Sequence, residues 1–198
     1  MLPFPPVEEN VEKLRAWLVE KFSTSSFNMS SAPLAKMTGA PMKIHIDPEA
    51  IPVAAHKPIP IPHHWQEIVK SELDRDCELG IIEEVPVGVP TKWQSRMVVV
   101  AKKSGKPRRT VDLSPLNKHC LSETLSTKTP FNQVSRVKNN TYKSVVDAWN
   151  GYHAVELDEE SRNLTAFITL YGRYHYCRAP QGHVCSGDAY TRRADDIT

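Results

Sequence analysis

The stretch Arg96-Met97-Val98-Val99-Val100-Ala101-Lys102-Lys103-Ser104-Gly105-Lys106-Pro107-Arg108-Arg109-Thr110-Val111-Asp112-Leu113 decides the fold. Met97 to Val100 is strongly β-forming, Ser104-Gly105 supplies a turn, and Arg109-Thr110-Val111 returns, so a β-hairpin is predicted here. Ser114-Pro115-Leu116-Asn117 ends it. Arg96, Lys102, Lys103, Lys106, Arg108 and Arg109 crowd into this one ribbon. A stiff ribbon with a cationic tip suits phosphate contacts, Arg offering a planar fork and Lys a point charge. The plainer alternative is a hairpin whose charges only keep it soluble.

Upstream, Ile68, Val69, Leu73 and Cys77 mark the apolar face of a helix from about His63 to Leu79, which Gly80 terminates. Ile81 to Val85 follows as a short strand. Prolines at 52, 58, 60 and 62 make residues 51–62 extended chain, neither helix nor central strand. Lys43 to Asp47 alternates like a strand. Glu8 to Phe22 places Val11, Leu14, Leu18 and Phe22 on one helical stripe, and Ser23 to Ser31 reads as loop.

Downstream, residues 119–140 are polar and irregular, with Thr129-Pro130 opening a short helix whose buried face is predicted to be Phe131, Val134 and Val137. Ser144-Val145-Val146-Asp147 reads as a buried strand ending in an acid. Gly151-Tyr152 makes a turn and His153 to Leu157 alternates. Thr165 to Leu170 and Tyr174 to Arg178 form a second hairpin joined at Tyr171-Gly172-Arg173. Gly187 to Thr198 starts a helix.

Three clusters carry chemistry: the basic hairpin, Asp147, and Arg178-Ala179-Pro180-Gln181-Gly182. A carboxylate at the end of a buried strand sits on a rigid platform within reach of a divalent metal; an Asp capping a turn is the bland reading. Pro and Gly around Gln181 fix a backbone turn and present an amide that can position a base or sugar; a plain loop glutamine is its alternative. His175-x-Cys177 and His183-x-Cys185 match no zinc finger or ribbon spacing. Asp195-Asp196, beside Arg192, Arg193 and Ala194, suits the surface of an amphipathic helix.

Composition sets outer bounds. The chain has 198 residues with 40% apolar and 24% charged, ordinary for a globular protein. A net charge of +2 makes any nucleic-acid partner a matter of local clustering. Sixteen prolines against eight glycines favour irregular extended chain in the first two-thirds. With no apolar run of membrane-spanning length and no basic, apolar leader, neither a membrane span nor a signal peptide is expected. Cys77, Cys120, Cys177 and Cys185 lack CxxC spacing and read as reduced thiols of an intracellular protein.

The order of these motifs resembles a family. Val98 to Lys118 looks like the fingers hairpin of gypsy-class LTR-retrotransposon reverse transcriptases, and Val145-Val146-Asp147-Ala148-Trp149-Asn150-Gly151-Tyr152-His153 is similar to the strand bearing their first catalytic Asp. Thr165-Ala166-Phe167 and Tyr171-Gly172-Arg173-Tyr174-His175-Tyr176 resemble the palm strands that follow. Ala179-Pro180-Gln181-Gly182 resembles the Pro-Gln/Phe-Gly motif near the nucleotide. Ile46-Asp47-Pro48, Leu73-Asp74-Arg75 and Leu79-Gly80-Ile81-Ile82 match the lead-in and first fingers helix. The resemblance covers residues 41–198, a truncated reverse transcriptase domain of fingers and early palm. Residues 1–40 resemble the connector between protease and polymerase in a Pol polyprotein.

It implies an α+β fold, a β-hairpin and a small antiparallel sheet backed by helices, and an RNA-directed DNA polymerase that joins a deoxynucleotide to a primer on an RNA or DNA template with two Mg2+ or Mn2+ ions. By the match, Asp147 and the carbonyl of Ala148 bind metal. Lys102 or Lys103 and Arg108 hold the triphosphate, Tyr152 sits under the sugar as a gate against a 2′ hydroxyl, and Gln181 braces the nucleotide. The family's aromatic-x-Asp-Asp hairpin has no counterpart within these residues, so a fragment without activity of its own is expected. A non-enzymatic nucleic-acid-binding or relic fragment is the alternative, and the reading frame beyond Thr198 separates the two.

Overall fold

The computed structural model describes residues 2–23, 34–122, 134–135, 137–140 and 148–197, without the side chains of the last two. Its centre is a five-stranded sheet: β1 (Ile82–Glu84), β2 (Ser95–Ala101), β3 (Pro107–Asp112), β4 (Phe167–Thr169) and β5 (Gly172–Tyr176), in the order β1-β5-β4-β2-β3. The helices are α1 (Val11–Phe22), α2 (Gln66–Glu78), α3 (Ser114–Asn117), α4 (Glu159–Arg162) and α5 (Ser186–Ile197). No helix among the described residues is long and apolar enough to cross a membrane.

The β2–β3 hairpin forms as predicted, from Arg96↔Asp112 to Ala101↔Pro107. Gly105, at φ +77, closes it in the left-handed conformation that a side chain disfavours. The second hairpin also forms, but it is tighter than expected: Thr169 pairs with Gly172, so Leu170 and Tyr171 make the turn. The sheet is not wholly antiparallel. β2 and β4 run parallel through Ser95↔Phe167 and Arg96↔Ile168, the seam that joins the two hairpins.

Helix α2 buries Val69 and Leu73 completely, as its stripe implies, whereas Ile68 is 45% exposed. A helix that packs by one narrow face leaves the neighbouring position in water. The amide of Gly80 bonds to the carbonyl of Cys77 and that of Ile81 to Asp76, both at 2.9 Å, with Gly80 at φ +66. This pair satisfies two of the helix's terminal carbonyls and turns the chain straight into β1. Helix α1 forms where its stripe places it, yet none of its residues is buried.

Other local expectations are corrected by packing. Lys43 to Asp47 shows the expected alternation, Ile44 buried and Lys43 and His45 exposed, but it makes isolated bridges rather than a strand. His153 and Ala154 lie in a 3-10 turn (Gly151–Ala154), not in a strand; only Val155 to Leu157 runs extended. Val134 and Val137 are exposed, not the buried face of a helix, while Phe131 lies outside the described residues. The four cysteines carry no disulfide.

The core lies between the sheet and α2. Fully buried Phe167 stacks on Tyr174 at 5.8 Å and meets Tyr176 at 5.5 Å. Phe167→Ala is expected to cost about 3–5 kcal/mol in urea unfolding. Val87→Ala, at a fully exposed position, is expected to stay within about 0.5 kcal/mol. Equal effects at the two positions would contradict this packing.

Candidate active site

Two neighbouring cavities lie where the turn at residues 148–153 and the loop of Gln181 meet α2, β3 and α5. The larger, about 570 Å³, is lined by Ala148, Tyr152, Gln181 and Tyr190 among others. The smaller, about 190 Å³, is lined by Asp76, Arg109, His153, Tyr176 and Gln181. Gln181 and Asn150 border both.

Local geometry sets the first wall. Asn150 sits in the left-handed region at φ +53, a conformation that Asn tolerates better than most residues. At Gly151 a Cβ would come within 3.2 Å of both the Ala148 side chain and the Tyr190 ring, so glycine lets the chain pass close to α5. Tyr152 then meets Tyr190 edge-on, ring centres 5.8 Å apart and planes at 75°.

The Gln181 loop is tied down on three sides. Buried Ser186 donates its hydroxyl to the Pro180 carbonyl at 2.7 Å. The Asn117 side-chain amide donates to the Gly182 carbonyl at 2.8 Å, and its oxygen accepts the Val184 amide at 3.1 Å. Before the loop, Arg178 is only 4% exposed. Its guanidinium donates to the carbonyls of Gly80 (3.2 Å), His153 (3.4 Å) and Leu34 (2.9 Å). Burial pushes its pKa down, and Glu156 works in the opposite direction.

The structure brings Gln181 to the same cavity as Ala148 and Tyr152, which lie close together in the sequence. Asp147 lies outside the described residues. Lys102, Lys103 and Arg108 stand exposed on the hairpin and line neither cavity. The strand's alternation turns Arg109 toward Gln181 instead, and Arg109 ion-pairs with Asp76 and, at 3.9 Å, with Glu72 of α2. Reading charge by density along the ribbon misses this; the period of two along β3, with buried Val111 on the same face, is the signal that finds it.

From the end of β2 onward the chain matches the family model described as reverse transcriptase (RNA-dependent DNA polymerase), over residues 100–198, half of the chain. The chain belongs to the reverse transcriptase family. It is 36% identical over 126 residues to an uncharacterized protein of Caenorhabditis elegans, a match covering 62% of this chain and 10% of that one. Retrovirus-related Pol polyproteins of Drosophila melanogaster also match: that of transposon 412 is 26% identical, covering 66% of this chain and 11% of the relative. That of transposon gypsy is 29% identical, covering 66% and 13%. The chain thus spans about a tenth of the length of these relatives. Among solved structures, prototype foamy virus protease-reverse transcriptase superposes with a TM-score of 0.79 at 20% identity, covering 99% of this chain and 26% of that one. The foamy viral protease-reverse transcriptase in complex with an RNA/DNA hybrid gives 0.78 at 18% identity, covering 97% and 25%. The α+β arrangement of a five-stranded sheet backed by helices is therefore that of part of a reverse transcriptase.

Two buried histidines flank the Gln181 loop. His153 donates through Nδ1 to the Ala179 carbonyl at 3.0 Å. His183 Nδ1 accepts the Cys185 amide at 3.2 Å, and its Nε2 faces the Cys120 sulfur at 3.3 Å. Burial lowers the pKa of both, that of His183 from 6.5 to about 4. The unfolded chain therefore takes up protons that the reverse transcriptase fold refuses. Their stabilisation is complete above pH 6.5 and is lost as pH falls toward about 4. Urea midpoints should fall across this window, and His183→Gln should flatten the fall; an unchanged slope would contradict it.

Arg178→Lys keeps the charge but not the fork that reaches three carbonyls. It is expected to lose about 2–4 kcal/mol by urea unfolding, the order of two or three buried acceptors left short. A loss below about 0.5 kcal/mol would show that the guanidinium does not hold these segments.

Proposed function

We propose that this chain is the fingers and early palm of an RNA-directed DNA polymerase of the gypsy class of LTR retrotransposons, and that its larger cavity receives the incoming deoxynucleotide. The observation that carries the reading is the convergence of Ala148, Tyr152 and Gln181 on that one open cavity. Tyr152, braced edge-on by Tyr190, lies under the sugar and excludes a 2′ hydroxyl by bulk. Gln181, on a loop held by Ser186 and Asn117, braces the nucleotide with its amide. Residues 1–40 serve as the connector and residues 41–198 as the polymerase part, with Leu34 and Met37 anchoring the connector by backbone bonds to Leu79 and Ala154.

Magnesium or manganese would be held by Asp147 and the Ala148 carbonyl. Hard oxygen donors suit such cations, and the Ala148 carbonyl, which accepts the Gly151 amide at 3.2 Å, keeps a second lone pair. When bound, the cations activate the primer 3′ hydroxyl and neutralise the triphosphate.

The template–primer, RNA or DNA, lies against the exposed face of the hairpin, where Lys102, Lys103 and Arg108 contact phosphates of the nucleic acid and of the nucleotide. Each phosphate contact contributes about 0.9 to the slope of log affinity against log salt. Replacing Lys102, Lys103 and Arg108 together by Ala is therefore expected to reduce that slope by about 2–3 for a primer–template duplex, measured by fluorescence anisotropy. Affinity indifferent to salt, or an unaltered slope in the triple variant, would overturn the assignment of the ribbon.

A further inference from the structure

Outside the nucleotide site, β1 and β5 bring three metal-ligating side chains to one point. Glu83 and His175 are directly paired across the two strands. Cys177 lies two residues beyond His175, on the same side of the chain as strand alternation requires. The ligand atoms of Glu83, His175 and Cys177 all lie within 4.8 Å of one another. The backbone under them is fixed: the Cys177 amide bonds to the Ile81 carbonyl at 2.8 Å, and its carbonyl accepts the Leu157 amide at 3.0 Å.

The hydrogen bonding of His175 fixes the ring with Nε2 aimed at this place. Its Nδ1 lies 3.1 Å from the Asn163 side-chain oxygen, and its Nε2 lies 2.6 Å from the Glu83 carboxylate. The ring either carries both protons and ion-pairs with Glu83, or carries one on Nδ1, donated to Asn163, and offers the Nε2 lone pair to a ligand. In the second form Nε2 and the Glu83 carboxylate are two ligand atoms at one place, and the carboxylate must draw back from 2.6 Å to admit an ion. An outer partner that fixes Nδ1–H and aims Nε2 inward is the usual arrangement of a metal-ligating histidine.

The other His-x-Cys pair shows the opposite pattern. His183 Nδ1 accepts the Cys185 amide, so its proton is on Nε2, aimed at Cys120. The Cys120 thiol in turn donates to the Leu116 carbonyl at 3.3 Å. Both ring nitrogens of His183 and the Cys120 thiol proton are used within that chain of bonds.

We propose that Glu83, His175 and Cys177 form a binding site for one borderline-soft divalent transition metal of the zinc type. The donor set, one carboxylate oxygen, one imidazole nitrogen and one thiolate, suits such a metal and not the hard magnesium of the nucleotide site. Water completes the coordination. On binding, the Cys177 thiol proton and any proton shared between Glu83 and His175 leave to solvent. Arg162, 3.3 Å from the Glu83 carboxylate, competes with the metal for it. The bound ion fastens β1, a strand of three residues at the edge of the sheet, to β5.

Cobalt(II) titration of the full 198-residue chain tests this. The expected result is one equivalent bound, with a sulfur-to-cobalt charge-transfer band that zinc abolishes and magnesium does not. Cys177→Ser removes the band, and Glu83→Gln, at a half-exposed position that leaves the core untouched, weakens binding. Asn163→Ala, which frees the ring, weakens it by about 10–100-fold. Arg162→Gln tightens it. Absence of the band in the unaltered chain, or a band that survives Cys177→Ser and disappears in Cys120→Ser, overturns the proposal.

Discussion

The fold depends on one buried positive charge. Arg178 sits inside the protein without a carboxylate in bonding distance among the described residues, and it is satisfied by the carbonyls of Leu34, Gly80 and His153. Those three groups belong to the incoming segment, to the end of α2 and to the turn that carries Tyr152. Each would be an unpaired acceptor in the interior without the guanidinium, at a cost of about 1–3 kcal/mol apiece. The residue next to it, Ala179, is fully buried and donates its amide N–H to the Val155 carbonyl at 2.9 Å. The position of the Gln181 loop relative to the Tyr152 turn therefore follows from where Arg178 finds its partners.

Much of the architecture is local and so can be read from the sequence. The first hairpin, α2 with its glycine stop, the second hairpin and α5 each depend on residues that are neighbours in the chain. The resemblance to reverse transcriptases rests on those same segments and is upheld by the family match. What could not be read is non-local. No run of residues announces that β2 and β4 pair in parallel, because the two strands are separated by the whole of residues 102–166. Arg178 looks like one more surface arginine until its three acceptors are folded around it. Asn117, placed in a turn by its neighbours, proves to clamp a loop sixty-five residues away. Arg109 reads as one of six hairpin cations and is instead neutralised by α2.

The candidate site shows the same division. Tyr152 and Gln181 were identified by motif, and the structure brings them to one cavity. What holds them there was not identified: Tyr190 from the last helix, the glycine at 151 that admits it, and Ser186 beneath Pro180. These supports are small or aromatic residues whose role appears only when the helix packs against the turn. Lys102, Lys103 and Arg108 of the basic ribbon line neither cavity and stand exposed, whereas Arg109 of the same ribbon lines the smaller cavity with Gln181.

The parallel seam has a mechanical consequence. β4 supports β2 only at Ser95 and Arg96, and the Arg109 pairing to α2 braces the ribbon at about the level of Val99. Beyond that brace no other strand among the described residues pairs with the ribbon, which stands as a cantilever with a clamped root and an end holding Lys102, Lys103 and Lys106. Bending such a beam strains no hydrogen bond of the main sheet, because its own ladder moves as one piece. The cations at the end can thus sweep an arc while the cavity walls stay still, so the reach of the charge and the rigidity of the site are set by different parts of the same sheet.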